Sequence, residues 1–359
     1  MGTMSALIAT PWLSSQPDQD PRSATGKPLR WGVIATGGIA RAVSRDLALL
    51  ADAELYAVSS RGRDTAESFA TAYGFTRSYW DSDGVSGYQH LLADDAVDVV
   101  YVATPHAQHH QIVLAALTAG KHVLCEKAFT INAREANELV AVARERKLFL
   151  MEAIWSRFLP GMQRVFEIAA SGELGDVHWV TADLGFPAPY SPTSRLWARQ
   201  DGGGALLDIS VYPLLWALGT LGFPQTVSAT GFINDDGVDA QNALTLGYNH
   251  GAQAQLTSSL LAFGPRTATV AGSLGYLQSA GSINNPRELV IGIGLGELRT
   301  EPCDVVGLGY TYELREVTRC IQQGVTESPV MPLEDSLNTM RLFDGVRGQL
   351  GVSYPNDAH

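Results

Sequence analysis

Trp31-Gly32-Val33-Ile34-Ala35-Thr36-Gly37-Gly38-Ile39-Ala40 decides how this chain is read. A short apolar run enters a glycine-rich turn and leaves it with helical spacing over residues 38–50. In that context Thr36, Gly37, Gly38 and Ile39 can set a pyrophosphate on free backbone N–H groups at a helix N-terminus. The stretch departs from G-x-G-x-x-G at its first position, where Ala35 stands. Taken alone it suits an ordinary strand-to-helix turn equally well.

Its neighbours tip the balance. Residues 54–58 are apolar again, and the series continues as a helix over 63–73, a short helix over 85–93, a strand over 97–103, a helix over 107–119, a strand over 122–125, a helix over 133–146 and a strand over 148–151. Strands and helices alternating at this spacing predict an α/β domain with a doubly wound parallel sheet of the Rossmann type. After a helix over 161–170 the texture changes to alternating segments at 178–183, 226–232, 243–248 and 252–258. These predict a C-terminal α+β domain with a large, mostly antiparallel open sheet, a helix over 209–221 and closing helices over 311–323 and 333–350. The expected division is a flexible extension (1–27), a dinucleotide-binding domain (28–152), a substrate and oligomerisation domain (153–330), and a C-terminal helix and tail (331–359).

With 359 residues, 45% hydrophobic and 17% charged, the chain has the composition of an ordinary two-domain globular protein. Its net charge of -12, with both signs interspersed, argues against nucleic acid or an anionic membrane as partner. Three widely spaced cysteines suggest neither a disulfide framework nor a zinc cluster, and a reducing cytoplasm is the expected compartment. No apolar run reaches the ~20 residues of a membrane span, and residues 1–13 lack the basic start of a secretory signal. Residues 14–27, rich in Ser, Pro, Asp and Gln, read as a mobile extension.

The turn after the second strand discriminates between dinucleotides. An acidic side chain there accepts from a ribose 2'-hydroxyl, whereas a 2'-phosphate needs donors and positive charge. The chain offers Ser59-Ser60-Arg61 and then Arg63, with no carboxylate, which favours NADP and leaves NAD as the alternative. The plainer reading is that both arginines merely solvate a helix start. At the end of the fifth strand, Cys125-Glu126-Lys127-Ala128 places a carboxylate and an amine where open parallel sheets put their ligands. Further on, Gly202-Gly203-Gly204 precedes Asp208 and Tyr212, which would share one face if the segment were a single helix. Asp208 as a helix cap and Tyr212 as a core aromatic is the unremarkable alternative.

In combination, residues 31–40, Tyr101-Val102-Ala103-Thr104-Pro105-His106, residues 120–127, residues 202–212 and Met331-Pro332-Leu333-Glu334-Asp335-Ser336 make the chain resemble the glucose-fructose oxidoreductase, inositol dehydrogenase and rhizopine-catabolism family. Met151-Glu152-Ala153-Ile154-Trp155-Ser156-Arg157-Phe158, together with Tyr212, is similar to its branch of dimeric dihydrodiol dehydrogenases and NADP-linked D-xylose dehydrogenases. Ala128 replaces the family's usual proline after Glu-Lys. The resemblance implies hydride transfer at a secondary alcohol or ketone carbon of a sugar, polyol or cyclic trans-diol.

It further implies that Tyr212 carries the proton, that Lys127 stabilises the phenolate and binds the reacting oxygen beside the nicotinamide C4, and that Asp208 orients a substrate hydroxyl. A tyrosine with its ordinary pKa near ~10 is a poor base, so a neighbouring ammonium is what the chemistry needs. Thr104, Pro105, His106, Glu126, Trp155 and Arg157 are implied to line the nicotinamide end, and Trp155 and Phe186 an apolar wall of the substrate pocket. His109 and His110, without matching carboxylates, suggest no metal site. A homodimer or homotetramer formed through the C-terminal sheet, with its Leu and Val residues between protomers, is also implied. The competing functions are a glycosidase that uses bound NAD transiently and a catalytically silent dinucleotide sensor, which would need neither Lys127 nor Tyr212.

Overall fold

A computed structural model describes residues 20–358. Six parallel strands, β1 (Leu29–Ile34), β2 (Ala53–Ser59), β3 (Arg77–Tyr79), β4 (Val99–Val102), β5 (His122–Glu126) and β6 (Leu150–Ala153), form a sheet in the order β3-β2-β1-β4-β5-β6. The helices α1 (Gly38–Leu47), α2 (Arg63–Tyr73), α3 (Gly87–Leu92), α4 (His106–Thr118) and α5 (Ala133–Arg146) alternate with them. The Val99–Val102 strand is buried at every position, as a strand covered on both faces must be, and this explains its unbroken apolar run.

The expected strand over 148–151 begins two residues late. Lys147 ends α5 in the left-handed region (φ 56°), and Leu148 N–H still donates to the Ala143 carbonyl, so the chain extends only from Leu150.

The remainder carries α6 (Pro160–Ser171), α7 (Ala205–Asp208), α8 (Val211–Leu221) and a second sheet in the order β14-β13-β12-β11-β7-β10-β9-β8. Its strands are β7 (Val177–Gly185), β8 (Thr226–Ile233), β9 (Asp239–Gly247), β10 (Gln253–Ser259), β11 (Ala268–Gly272), β12 (Gly275–Ala280), β13 (Glu288–Ile293) and β14 (Leu298–Pro302). All neighbours pair antiparallel except β7 with β10. Burial alternates along β9 and β10, so one face is covered and the other is open. The helices α9 (Thr311–Gln322) and α10 (Leu333–Leu350) close the chain. Among the described residues no single helix is long and apolar enough to cross a membrane.

Two compact units emerge, residues 20–155 with 306–337 and residues 156–305 with 338–358. Residues 306–337 thus belong with the parallel sheet and not, as expected, with a domain reaching to 330. Asp46, at the end of α1, explains part of this: its carboxylate accepts the N–H groups of Leu308 and Tyr310 at the start of α9.

The expected extension over 1–27 also changes in its described part. Arg315 of α9 donates to the Pro21 carbonyl (2.8 Å) and the Thr25 hydroxyl (2.8 Å), so residues 20–27 are hydrogen-bonded to the first unit; residues 1–19 lie outside the described residues.

The same guanidinium pairs with Asp52 at 2.6 Å, both side chains being almost wholly buried. Burial alone would raise the Asp52 pKa, but Arg315, Gln322 and the Thr25 N–H bring it down to about 2. Replacing Asp52 with Ala leaves a buried guanidinium without its counter-charge and is expected to cost about 3–5 kcal/mol of stability in denaturant unfolding. A loss below about 1 kcal/mol would mean the pair does not hold residues 20–27 and α9 to the sheet.

Candidate functional site

In the first unit, the expected residues follow the carboxyl ends of β1, β2, β4 and β5. Ala35 leaves β1 with φ 89°, a conformation L residues rarely adopt, so the position where glycine is usual does require glycine-like geometry. Gly37 and Gly38 are exposed, with open space where a Cβ would project, and no side chain caps the N-terminus of α1. The unsatisfied N–H groups there are suited to a pyrophosphate.

Across the turn the Thr36 hydroxyl lies 3.4 Å from that of Ser60, which follows β2. Of the two arginines expected there, Arg63 is committed: it pairs with Glu67 at 2.8 Å and its guanidinium lies 4.8 Å from the Trp80 ring centroid. Arg61 is exposed and forms no ion pair among the described residues.

The loops after β4 and β5 are joined by a residue the sequence reading set aside. His109, buried in the first turns of α4, has Nε2 2.9 Å from the Thr104 carbonyl and Nδ1 3.0 Å from that of Ala128. Burial lowers its pKa, against the opposing pull of the Thr104, Ala128 and Phe129 carbonyls on the ring N–H groups. It therefore fixes the Thr104-Pro105-His106 turn to the one after Lys127. Its only sequence signal was a polar residue on the apolar face of a helix.

Glu152 adds a second tie, accepting the Phe129 N–H at 3.0 Å. Lys127 is half-buried and its peptide bond to Ala128 is cis. Glu126 is buried; its carboxylate accepts from the Tyr101 hydroxyl and from the Lys127 N–H. Glu313 of α9 is fully buried with neither carboxyl oxygen hydrogen-bonded. Burial, and then the charges of Glu126 and Asp46, push its pKa well above the usual carboxylate range. Trp155 is buried and packs its ring 4.6 Å from that of Tyr310.

Arg157 shares one short 3-10 helix, Trp155–Phe158, with Trp155; the chain enters the second unit there, and Arg157 is buried. Phe186, expected to share a wall with Trp155, also belongs there, half-buried, with its N–H bonded to the Ser259 carbonyl (3.0 Å).

Asp208 and Tyr212 do not share one helix. α7 ends at Asp208, Ile209 breaks the pattern at φ -126°, and Tyr212 sits half-buried in the first turn of α8. Pro213 accounts for the restart, since it is tolerated only where its missing N–H has no helical partner. Asp208 is buried and not a cap; the Arg195 guanidinium holds it at 2.6 Å.

Two of the three glycines before it approach the protein itself. A Cβ on Gly203 would come 2.8 Å from the Leu196 carbonyl oxygen, and one on Gly204 would come 2.3 Å from Asp239 Oδ1. Asp239 Oδ2 accepts the Leu206 N–H (2.8 Å) and the Asn242 amide (2.8 Å), and the Tyr354 hydroxyl donates to the Gly203 carbonyl (2.6 Å). The segment bearing Asp208 thus rests on a buried acid and a buried phenol.

Of the cavities, one of about 460 Å³ opens beside Thr36, Arg41 and Asp64. A larger one of about 680 Å³, among Thr230, Phe232, Gln241, Thr257 and Phe263, contains none of the expected site residues. No group of three or more His, Cys, Asp or Glu among the described residues is arranged to hold a metal.

Residues 29–154 match the model of the oxidoreductase family with an NAD-binding Rossmann fold, and residues 162–278 match the GFO/IDH/MocA C-terminal domain. The trans-1,2-dihydrobenzene-1,2-diol dehydrogenase of Mus musculus is 36% identical over 341 residues, covering 92% of this chain and 99% of that protein. The chain belongs to the GFO/IDH/MocA oxidoreductase family.

Within that family, the Homo sapiens trans-1,2-dihydrobenzene-1,2-diol dehydrogenase is 35% identical over 341 residues, with coverage of 92% and 99%. The 3-ketoreductase KijD10 of Actinomadura kijaniata, solved with NADP and TDP-benzene, is 31% identical with a TM-score of 0.78, covering 90% of this chain and 98% of that one. The aldose-aldose oxidoreductase of Caulobacter crescentus shares the fold at a TM-score of 0.81 and 23% identity, covering 90% and 97%. This family member is an NAD(P)-dependent dehydrogenase or reductase with an NAD(P)-binding Rossmann domain.

Burial raises the Asp239 pKa to about 7, against the opposing donors Asn242 and Leu206. The unfolded chain gives up that proton near pH ~4 and the folded chain holds it, so stability falls by up to about 4 kcal/mol as pH rises from ~4 to ~7. Asp239→Asn carries no such proton. Its stability relative to the parent protein should therefore improve steadily across that window in denaturant titrations; a gap constant with pH would contradict the assignment.

Proposed function

We propose that this family member is an NADP-preferring oxidoreductase that moves a hydride to or from a secondary alcohol carbon of a sugar, polyol or cyclic trans-diol. What supports the reading is the presence in one chain of both groups such a proton transfer needs, an amine, Lys127, directly after β5 and a phenol, Tyr212, in the first turn of α8. Neither a phenol nor an amine at these positions is needed merely to bind a dinucleotide.

Preference for NADP rests on the turn after β2, where Ser60 and the uncommitted Arg61 offer donors and positive charge, and no carboxylate stands between Ser59 and Arg63. In this reading Thr36, Gly37, Gly38 and Ile39 hold the pyrophosphate, and Ser60 and Arg61 take the 2'-phosphate. Thr104, Pro105, His106, Glu126, Trp155 and Arg157 serve the nicotinamide end. Bound in this way, the nicotinamide supplies the hydride acceptor or donor.

Tyr212 takes the hydroxyl proton during oxidation and returns it to the carbonyl oxygen during reduction. Lys127 binds that oxygen and offsets the phenolate charge, while Asp208 binds or orients a substrate hydroxyl and Trp155 and Phe186 supply apolar contacts. The trans-1,2-dihydrobenzene-1,2-diol dehydrogenases among its relatives favour a diol, and the 3-ketoreductase KijD10 a ketone, as the reacting group.

We also propose a homodimer or homotetramer through the open face of the second sheet. That face carries Trp179, Thr181, Gln255 and Thr257, whereas the Leu and Val residues expected at an interface, among them Val180, Leu244 and Leu256, lie on the buried face.

Initial rates at the reduced-nicotinamide absorbance band, with aldoses, inositols and cyclic trans-diols, test the reading. NADP should exceed NAD in kcat/KM by about tenfold or more, the worth of a charge-assisted phosphate contact. Tyr212→Phe should lower turnover about 10²- to 10⁴-fold with NADPH affinity unchanged. Undiminished activity in that variant would exclude Tyr212 as proton carrier, and a large NAD preference would exclude the role given to Ser60 and Arg61.

A further inference from the structure

Arg195 lies in a segment built against the turn that bears Asp208. Leu196 and Ala198 accept backbone hydrogen bonds from Gly204 (2.9 Å) and Gly203 (3.1 Å), and the Trp197 and Ala198 N–H groups donate to the Ser194 carbonyl (2.8 Å each). Trp197 is buried, its indole N–H donating to the Pro189 carbonyl (3.1 Å), and Tyr190 packs edge-on at 5.7 Å. The backbone that presents Arg195 is therefore fixed to the backbone that presents Asp208.

The two side chains differ sharply in exposure: 56% for Arg195 and 7% for Asp208, with Nη1 to Oδ1 at 2.6 Å. A surface arginine that served only to compensate a buried carboxylate would need no such scaffold, and more than half of this one faces solvent.

We infer that Arg195 is a specificity-determining residue that, with Asp208, binds a ring hydroxyl beyond the two of a vicinal diol and so selects neutral polyhydroxylated rings. The step rests on the proposed dehydrogenase reading. A guanidinium is a planar fork of five N–H donors, and a carboxylate accepts at both oxygens, so the pair offers a donor and an acceptor side by side, the complement of a sugar hydroxyl and its neighbour. Arg195 and Asp208 together carry no net charge. A phosphorylated or carboxylated sugar would compete with Asp208 for the guanidinium, whereas a neutral hydroxyl leaves the pair intact. A hydrocarbon ring with only two hydroxyls uses both at the reacting centre and leaves none for Arg195.

The test compares the full chain with Arg195→Met and Arg195→Lys in NADP-linked initial rates on D-xylose, D-xylose phosphate and trans-cyclohexane-1,2-diol, with melting temperatures recorded alongside. Arg195→Met should lower kcat/KM for D-xylose about 10- to 100-fold, mainly through KM, the loss expected of one charge-assisted hydrogen bond. The diol should change less than about threefold, and Arg195→Lys should restore part of the loss, since it keeps the charge without the fork. Equal losses on D-xylose and the diol would overturn the inference, reducing Arg195 to a support for the Asp208 turn. So would unchanged kinetics in Arg195→Met, or a preference for the phosphate over the parent sugar. Absence of nicotinamide-linked turnover in the parent protein is a different result: it overturns the dehydrogenase reading, and this inference with it.

Discussion

The parallel pairing of β1 with β2 on one side and β4 on the other is the constraint on which the first unit depends. β4 is buried throughout and β1 and β2 over their carboxyl halves, so at that edge polar side chains reach solvent only beyond the strand ends. The connections from β1 and from β4 leave to opposite faces of the sheet and open a crevice at the carboxyl ends. The turn at Ala35 to Gly38, the Ser60-Arg61 pair, Thr104 and Lys127 all follow such ends. His109 and Glu152 then convert neighbouring loops into a fixed frame by binding the carbonyls of Thr104 and Ala128 and the N–H of Phe129.

The second unit solves a different problem, how to hold one carboxylate in a nearly dry position. Asp208 is buried, and a lone charge there would be costly. Arg195 supplies the counter-charge, while Asp239 and Tyr354 fix the glycine turn from beneath. Asp239 itself keeps an oxygen without a partner. Such an arrangement costs stability that an apolar core would not.

Most of the fold was legible because its signals are local. Apolar periodicity bounded α5 and α10 at their observed residues, and the β1 turn announced the first unit. The open readings were settled where a tertiary rule overrode a local one. The helix carrying Asp208 and Tyr212 breaks at Ile209, because Pro213 demands a fresh helix start and the glycine turn is anchored to Asp239, 33 residues from Leu206. The partners Arg195 and Asp208 are 13 residues apart, and Arg315 and Pro21 are 294 apart, separations that no window of periodicity spans. The candidate residues of the first unit stood out in the sequence as chemical types after strand ends; the groups that hold them did not.

The account stands or falls on whether the Lys127 ammonium sets the working protonation state of the Tyr212 phenol. The direct measurement is the pH dependence of kcat/KM for alcohol oxidation in the parent protein and in Lys127→Met, with NADP affinity measured in parallel. The account predicts that the alkaline rise in rate moves to higher pH by at least about one unit in the variant, the effect of removing a neighbouring positive charge, with NADP binding nearly unchanged. A pH midpoint that stays where it was, at whatever residual rate, would contradict it.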